Sequence, residues 1–209
     1  MKKYKVRLEG EGPLLHGRKD PREGTAPRAE PDRTEWYDKQ WKYTHYANGV
    51  GVLGQPGHVL KAVIVAGMRE TAKAGDVKAG KGKTEQMARA CLRIEPAFPK
   101  FNNGAIMVPD SPDFLDPSAA QSLELDETKV FVLKRLCDRG VEITNLAING
   151  WNLDFYLIDS SVTPIDPRGY FNEEWLARGL EYGFGIIGMG TWRPDFGRAK
   201  VAEFTLIEE

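Results

Sequence analysis

The chain has little with which to hold a metal. Its cysteines are two, Cys91 and Cys137, and its histidines three, His16, His45 and His58; no cluster of them has metal-ligand spacing. Asp110, Asp113 and Asp116 in "PDSPDFLDP" look like a calcium loop only superficially, because the spacing and the intervening prolines depart from one. No metal and no cofactor is expected. Two cysteines so far apart also exclude a disulfide framework and point to unpaired thiols in a reducing compartment. Charge of one sign is not in excess: the net charge is −1, so no global field selects nucleic acid or an anionic membrane, although a local basic groove stays open. No apolar run approaches membrane-spanning length. The opening "MKKYKVRLEGEG" lacks the apolar stretch of a secretory signal. These absences predict a cytoplasmic protein with no membrane partner.

What is present reads as one domain of mixed structure, 209 residues long and able to bury a sizeable core. In "KYKVRLEG", Tyr4, Val6 and Leu8 alternate with Lys5, Arg7 and Glu9, the pattern of a half-buried strand ended by "GEGP". In "PGHVLKAVIVAGMRETAKA", Val59, Leu60, Val63, Ile64 and Met68 recur at helical spacing behind Pro56. "TEQMARACLRI" is a second short helix or a helix-to-strand passage. "VEITNLAINGWNLDFYLID" holds two β-rich runs around Asn149-Gly150, a strong hairpin signal. "FNEEWLARGLEYGFGII" predicts a helix capped by Asn172, with Glu173 and Glu174 in its first turn and Trp175, Leu176, Gly179, Leu180 and Phe184 on its buried face. "AKVAEFTLIE" closes the chain as a strand. The order is βαββαβ, so the predicted class is α+β, a ferredoxin-like (RRM-type) antiparallel sheet. One domain over 1–209 then carries two long insertions, at about 17–47 and 75–129. Two helices on one face would leave the other face open for a ligand or partner.

Three constellations carry candidate chemistry. The first is "GFGIIGMGTWRPDFGRAKV", where Gly183, Gly185, Gly188 and Gly190 precede Trp192, Arg193 and Arg198. It joins a helix to a strand, so it is neither a dinucleotide fingerprint nor a P-loop. Glycine serves a helix C-cap and a loose turn well. It also permits a bare backbone to lie against a phosphodiester chain, with Arg193 and Arg198 supplying charge. The second is "RTEWYDKQWKYTHY", in which Trp36 and Trp41 interleave with Arg33, Lys39 and Lys42. Aromatics of this kind stack on bases while cations track phosphates, or they pin an insertion to the core. The third is "RETAKAGDVKAGKGK", with Lys78, Lys81 and Lys83, either a solvated loop or a segment reaching a bound strand.

The order of elements and the Gly-rich segment resemble the RAMP superfamily, the repeat-associated proteins that form backbone and processing subunits of CRISPR effector complexes in antiviral defense. "KVRLEGEGPLLHGR", with His16 and Arg18, is similar to the first strand of that family running into its guide-binding region. The resemblance implies a ferredoxin-like fold and a Gly-rich loop between last helix and last strand. It covers the whole order of elements through short motifs and fits a divergent or stand-alone branch, such as one carried by a phage or mobile element. It implies a non-catalytic subunit that coats single-stranded RNA or DNA through its backbone. Copies would assemble head to tail, and other effector-complex subunits would be partners.

Two alternatives belong to other classes. Processing members of the family cut RNA without a metal, using a general base near positions such as His16 or His58. A structural assembly protein would use the hairpin and insertions for protein contacts only.

Overall fold

The computed structural model describes residues 1–16, 52–73, 76, 81–106, 130–136, 142–161, 169–190 and 196–208. Among them the molecule is α+β with antiparallel sheets. The elements in chain order are β1 (Lys2–Gly10), β2 (Leu14–His16), α1 (Gly57–Glu70), α2 (Lys81–Cys91), β3 (Leu92–Glu95), β4 (Val130–Leu136), β5 (Glu142–Ile148), β6 (Asn152–Asp159), α3 (Glu173–Tyr182) and β7 (Ala199–Glu208). A single π-type turn, Gly183–Ile187, extends α3.

The main sheet has the order β3-β6-β1-β7, and a second, three-stranded sheet has the order β2-β5-β4. Every recorded pairing is antiparallel. It follows that β1 and β3 run parallel with β6 between them, and β6 and β7 run parallel with β1 between them. β1 follows its alternation: Tyr4, Val6 and Leu8 are fully buried, while Lys3, Lys5 and Arg7 lie on the other face. The core they enter also takes Leu60, Val63, Ile64 and Met68 of α1, Leu153, Phe155 and Leu157 of β6, and Trp175, Leu176, Leu180 and Phe184 of α3 and its extension. Leu14, Leu146 and Ile148 of the second sheet belong to the same cluster.

The strand order departs from the predicted one. Residues 141–148 and 151–159 were expected to pair as a central hairpin, but β5 lies between β2 and β4, and β6 lies between β3 and β1. Gly150 does turn the chain, with φ 60°. The backbone groups that would continue a hairpin are engaged elsewhere. Asn102 donates its side-chain amide to the Gly150 carbonyl (3.1 Å) and accepts from the Asn152 N–H (2.6 Å), and Gly10 N–H donates to the Trp151 carbonyl (2.8 Å). An Asn-Gly pair specifies a local turn; these long-range partners send its two arms into different sheets. The stretch at 75–129 read as an insertion supplies α2 and β3, an outer strand of the main sheet.

Helices α1 and α3 cross through glycine. A Cβ on Gly67 would stand 2.0 Å from the Gly179 carbonyl oxygen, and one on Gly183 would stand 2.7 Å from that of Val63. With no side chains in the way, the α1 and α3 backbones come into direct contact. Trp175 then reaches across to donate its indole N–H to the Met68 carbonyl at 2.9 Å.

Candidate nucleic-acid interface

The Gly-rich segment leaves α3 through its π-type turn and folds back on the chain. Gly188, Gly190 and Gly197 have φ near 75°, the left-handed region that glycine enters without steric cost. Their bare backbones face the protein itself. A Cβ on Gly190 would lie 2.2 Å from the Leu15 carbonyl oxygen, one on Gly197 would lie 2.1 Å from that of Met189, and one on Gly188 would lie 3.1 Å from that of Phe196. Met189 N–H donates to Gly197 O (2.8 Å), and Gly197 N–H donates to Pro13 O (3.0 Å). The glycines expected to face a phosphodiester chain at 188 and 190 are thus required by close packing of this loop on itself and on β2.

That packing builds a cleft. Glu11 N–H donates to the Arg198 carbonyl at 3.0 Å, joining the exit of β1 to the entry of β7. An open cleft of about 470 Å³ lies at the join, lined by Glu11, Gly12, Gly197 and Arg198. Gly12 differs from the loop glycines: a Cβ there would meet nothing within 4 Å. Its carbonyl accepts the Trp151 indole N–H at 3.0 Å, which fixes this stretch of backbone at the cleft. Arg198 is exposed. Glu11 and Gly12 were not singled out in the sequence; the "GEGP" end of the first strand was their only signal.

His16, expected near a bound strand, is a core residue instead. It is 1% exposed. Its Nε2 lies 3.0 Å from the Gly54 carbonyl oxygen and 3.1 Å from Gln55 Oε1; both are acceptors, so Nε2 carries the proton. Phe101 packs edge-on against the ring. His58, by contrast, is exposed on the first turn of α1. Of the remaining expected residues, Lys81 and Lys83 fall in the first turn of α2. Arg18, Arg33, Trp36, Lys39, Trp41, Lys42, Lys78, Trp192 and Arg193 lie outside the described residues. Cys91 is a free thiol. Burial, then the negative charge of Asp159, pushes its pKa up. Cys137 is also outside the described residues.

The face of the main sheet away from the helices is charged and internally matched. Arg7 donates to both Asp154 carboxylate oxygens, at 2.7 and 3.0 Å. Lys5 pairs with Glu203 at 2.8 Å, and Arg93 pairs with Glu95 at 3.2 Å. Lys3 sits 4.6 Å from the centre of the Tyr156 ring. The hydrogen bonds to Asp154, then that carboxylate's charge, hold the Arg7 pKa above its already high ordinary value. A face whose cations are already met by carboxylates offers a polyanion little net attraction.

No cluster of His, Cys, Asp and Glu suited to a metal occurs among the described residues. No helix among them is long and apolar enough to cross a membrane. No family model matches the chain, and no curated protein matches it.

Proposed function

We propose that the main sheet with α1 and α3 is a ferredoxin-like core, and that the chain is a non-catalytic subunit binding single-stranded RNA or DNA by its backbone. Two features support the core: the crossover from β1 to β3 with β6 between them, and the crossover from β6 to β7 with β1 between them. These are the interleaved halves of a split βαβ arrangement. In this reading β2, β4 and β5 are additions to it. The Gly-rich segment then occupies the helix-to-last-strand position of the RAMP proteins that the sequence resembles.

The observation that carries the binding proposal is Arg198, exposed beside the unobstructed backbone of Gly12 on one open cleft. A guanidinium fork fits phosphate oxygens, and an adjacent residue without a side chain lets a sugar-phosphate chain come close. The glycines at 188, 190 and 197 serve this site indirectly, by shaping the loop that presents Arg198. Glu11 lines the same cleft, so the attraction there is local and readily screened. Arg193, outside the described residues, is assigned to the same strand. His16 is buried and its Nε2 carries the proton, so the proposal gives it no chemical step. Copies of the chain would bind successive stretches of one strand head to tail, a heterologous contact that does not close. Other subunits of an effector complex are further partners in this reading.

The test is the salt dependence of binding to a labelled single-stranded oligonucleotide. Arg198→Gln should flatten the log-log salt slope by about 0.7, the value for one lost phosphate contact on a single strand, with thermal stability unchanged. Gly12→Val should weaken binding by filling the open space. An unchanged slope in Arg198→Gln at unchanged stability would overturn the proposal.

A further inference from the structure

A second cleft, of about 240 Å³, lies between α1 and α2. It shares no lining residue with the Arg198 cleft. Positions 58, 61, 62, 66 and 69 lie on one face of α1, turned from the stripe of Leu60, Ile64 and Met68 that enters the core, and Val65 at its edge is itself buried in that core. Ala62, Val65 and Ala66 supply an apolar floor, and Lys61, Arg69 and Arg89 supply three permanent cations against one carboxylate, Glu85.

The cations are placed by the fold. Lys61 donates to the carbonyls of Arg89 (2.7 Å) and Leu92 (3.1 Å). Arg89 lies in the last turn of α2, where unsatisfied carbonyls favour a positive charge, and Leu92 directly follows that helix as the first residue of β3. Two of the three ammonium donors are used there, which leaves one for a ligand. Glu85 accepts from Arg89 at 2.6 Å and stands 3.8 Å from Arg69. An oxyanion already sits between two guanidinium groups. Arg69 and Arg89 are exposed and Glu85 is partly so, which leaves both pairs screened by water, and a phosphomonoester brings more charge and more acceptor oxygens than a carboxylate.

We infer that the α1–α2 cleft is a phosphate site for a phosphomonoester carried on a small ring system, as in a 5′-mononucleotide. Arg69, Arg89 and the remaining Lys61 N–H hold the phosphate. The Ala62, Val65 and Ala66 floor takes a face of the attached ring. His58 lines the same cleft. The same chemistry is offered by a free mononucleotide and by the 5′-phosphate end of a strand.

Calorimetric titration of the full chain tests this with adenosine 5′-monophosphate and adenosine, and with one oligonucleotide bearing either a 5′-phosphate or a 5′-hydroxyl. The monophosphate should bind at least about tenfold more tightly than adenosine, the cost of losing hydrogen bonds to charged groups. Arg69→Gln/Arg89→Gln should remove that preference, whereas Glu85→Gln should tighten monophosphate binding by removing the competing carboxylate. Arg198→Gln should leave it unchanged, which separates this site from the strand-binding cleft. A 5′-phosphate advantage in the oligonucleotide that Arg69→Gln/Arg89→Gln abolishes assigns the site to strand ends. A response confined to the mononucleotide assigns it to free nucleotides. The inference falls if the monophosphate binds no better than adenosine, if the double variant binds it unchanged, or if Glu85→Gln weakens it.

Discussion

A methyl group added at Gly190 would stand 2.2 Å from the Leu15 carbonyl oxygen, on a residue with φ 74°. Neither problem has an inexpensive escape. The obstacle is backbone, and an L side chain in the left-handed region costs about 1–3 kcal/mol by itself. Gly185, five residues earlier, is the internal control: a Cβ there would meet nothing nearer than the Ala199 carbonyl oxygen at 3.9 Å. Gly190→Ala is expected to destabilise the protein by about 2–4 kcal/mol, measured by urea unfolding. Gly185→Ala should leave stability unchanged or raise it by up to about 1 kcal/mol, because alanine loses less backbone freedom in a helical turn. Equal losses in the two variants would contradict the packing described. The sequence showed that something must approach this backbone closely or that the turn must be special. It could not show that the approaching atoms belong to β2, far away in sequence, and to residues 196 and 197 of the same loop, because both contacts depend on how the loop folds back.

Where an element's partners are local, its sequence was legible. The Asn172 side chain accepts from the Trp175 N–H at 2.7 Å, capping α3 as its residue type predicts, and the periodic positions of α1 and α3 reach the core, except that Val59 stays half-exposed and Val65 is buried in addition. The hairpin at Asn149-Gly150 failed because Asn102 and Gly10, distant in sequence, hold the backbone on its second arm. The link between the segment after α1 and α3 was equally illegible. Asp76, whose side chain is 11% exposed, pairs with Arg178. It also accepts from the Asn172 amide (3.1 Å) and from the Lys73 N–H (2.9 Å), and Arg178 extends the network to Glu174 at 2.7 Å. Burial by itself would raise the Asp76 pKa. The Lys73 N–H, the Asn172 amide and the Arg178 charge outweigh it and hold the carboxyl below its ordinary value. A depressed carboxyl contributes stability that is fully present above its unfolded value of about 4 and is lost as pH falls through the lower folded value. Asp76→Asn should therefore be less stable than the native chain at pH 7, by about 1–2 kcal/mol for the charge-assisted bonds removed. The gap should begin to narrow below about pH 4, where the unfolded carboxyl is protonated, and close as the native carboxyl becomes neutral at its lower folded value. A gap that stays constant from pH 7 into that acid range would exclude an ionised Asp76 as the clamp.

At the scale of the whole molecule, the described charges on the open face of the main sheet are largely spent within that face. Net charge is −1, and the open face of the main sheet pairs its cations with its own carboxylates. Sheet extension is also obstructed. β7 is the outer strand on one side, but its pairing with β1 shifts register between Lys3 and Tyr4 and again between Arg7 and Leu8. Such irregularities twist an edge away from a second strand, and a charged residue such as Lys200 discourages pairing further. Ile207, 50% exposed near the end of this strand, is a single apolar side chain and too small a patch to hold a copy. The proposed head-to-tail assembly on a nucleic acid would then use other surfaces, and the aromatic and basic stretch holding Trp36 and Trp41, outside the described residues, is the segment to which we assign it. Sizing chromatography should show a monomer alone and elongated oligomers on a long single strand. Trp36→Ser/Trp41→Ser should remain one copy per binding site without lengthwise cooperativity, while Ile207→Lys should assemble as the native chain does. If Ile207→Lys abolishes assembly and the double tryptophan variant does not, the β7 edge is the contact. A strict monomer with and without the strand removes the assembly proposal and leaves the Arg198 cleft to be judged by its salt slope alone.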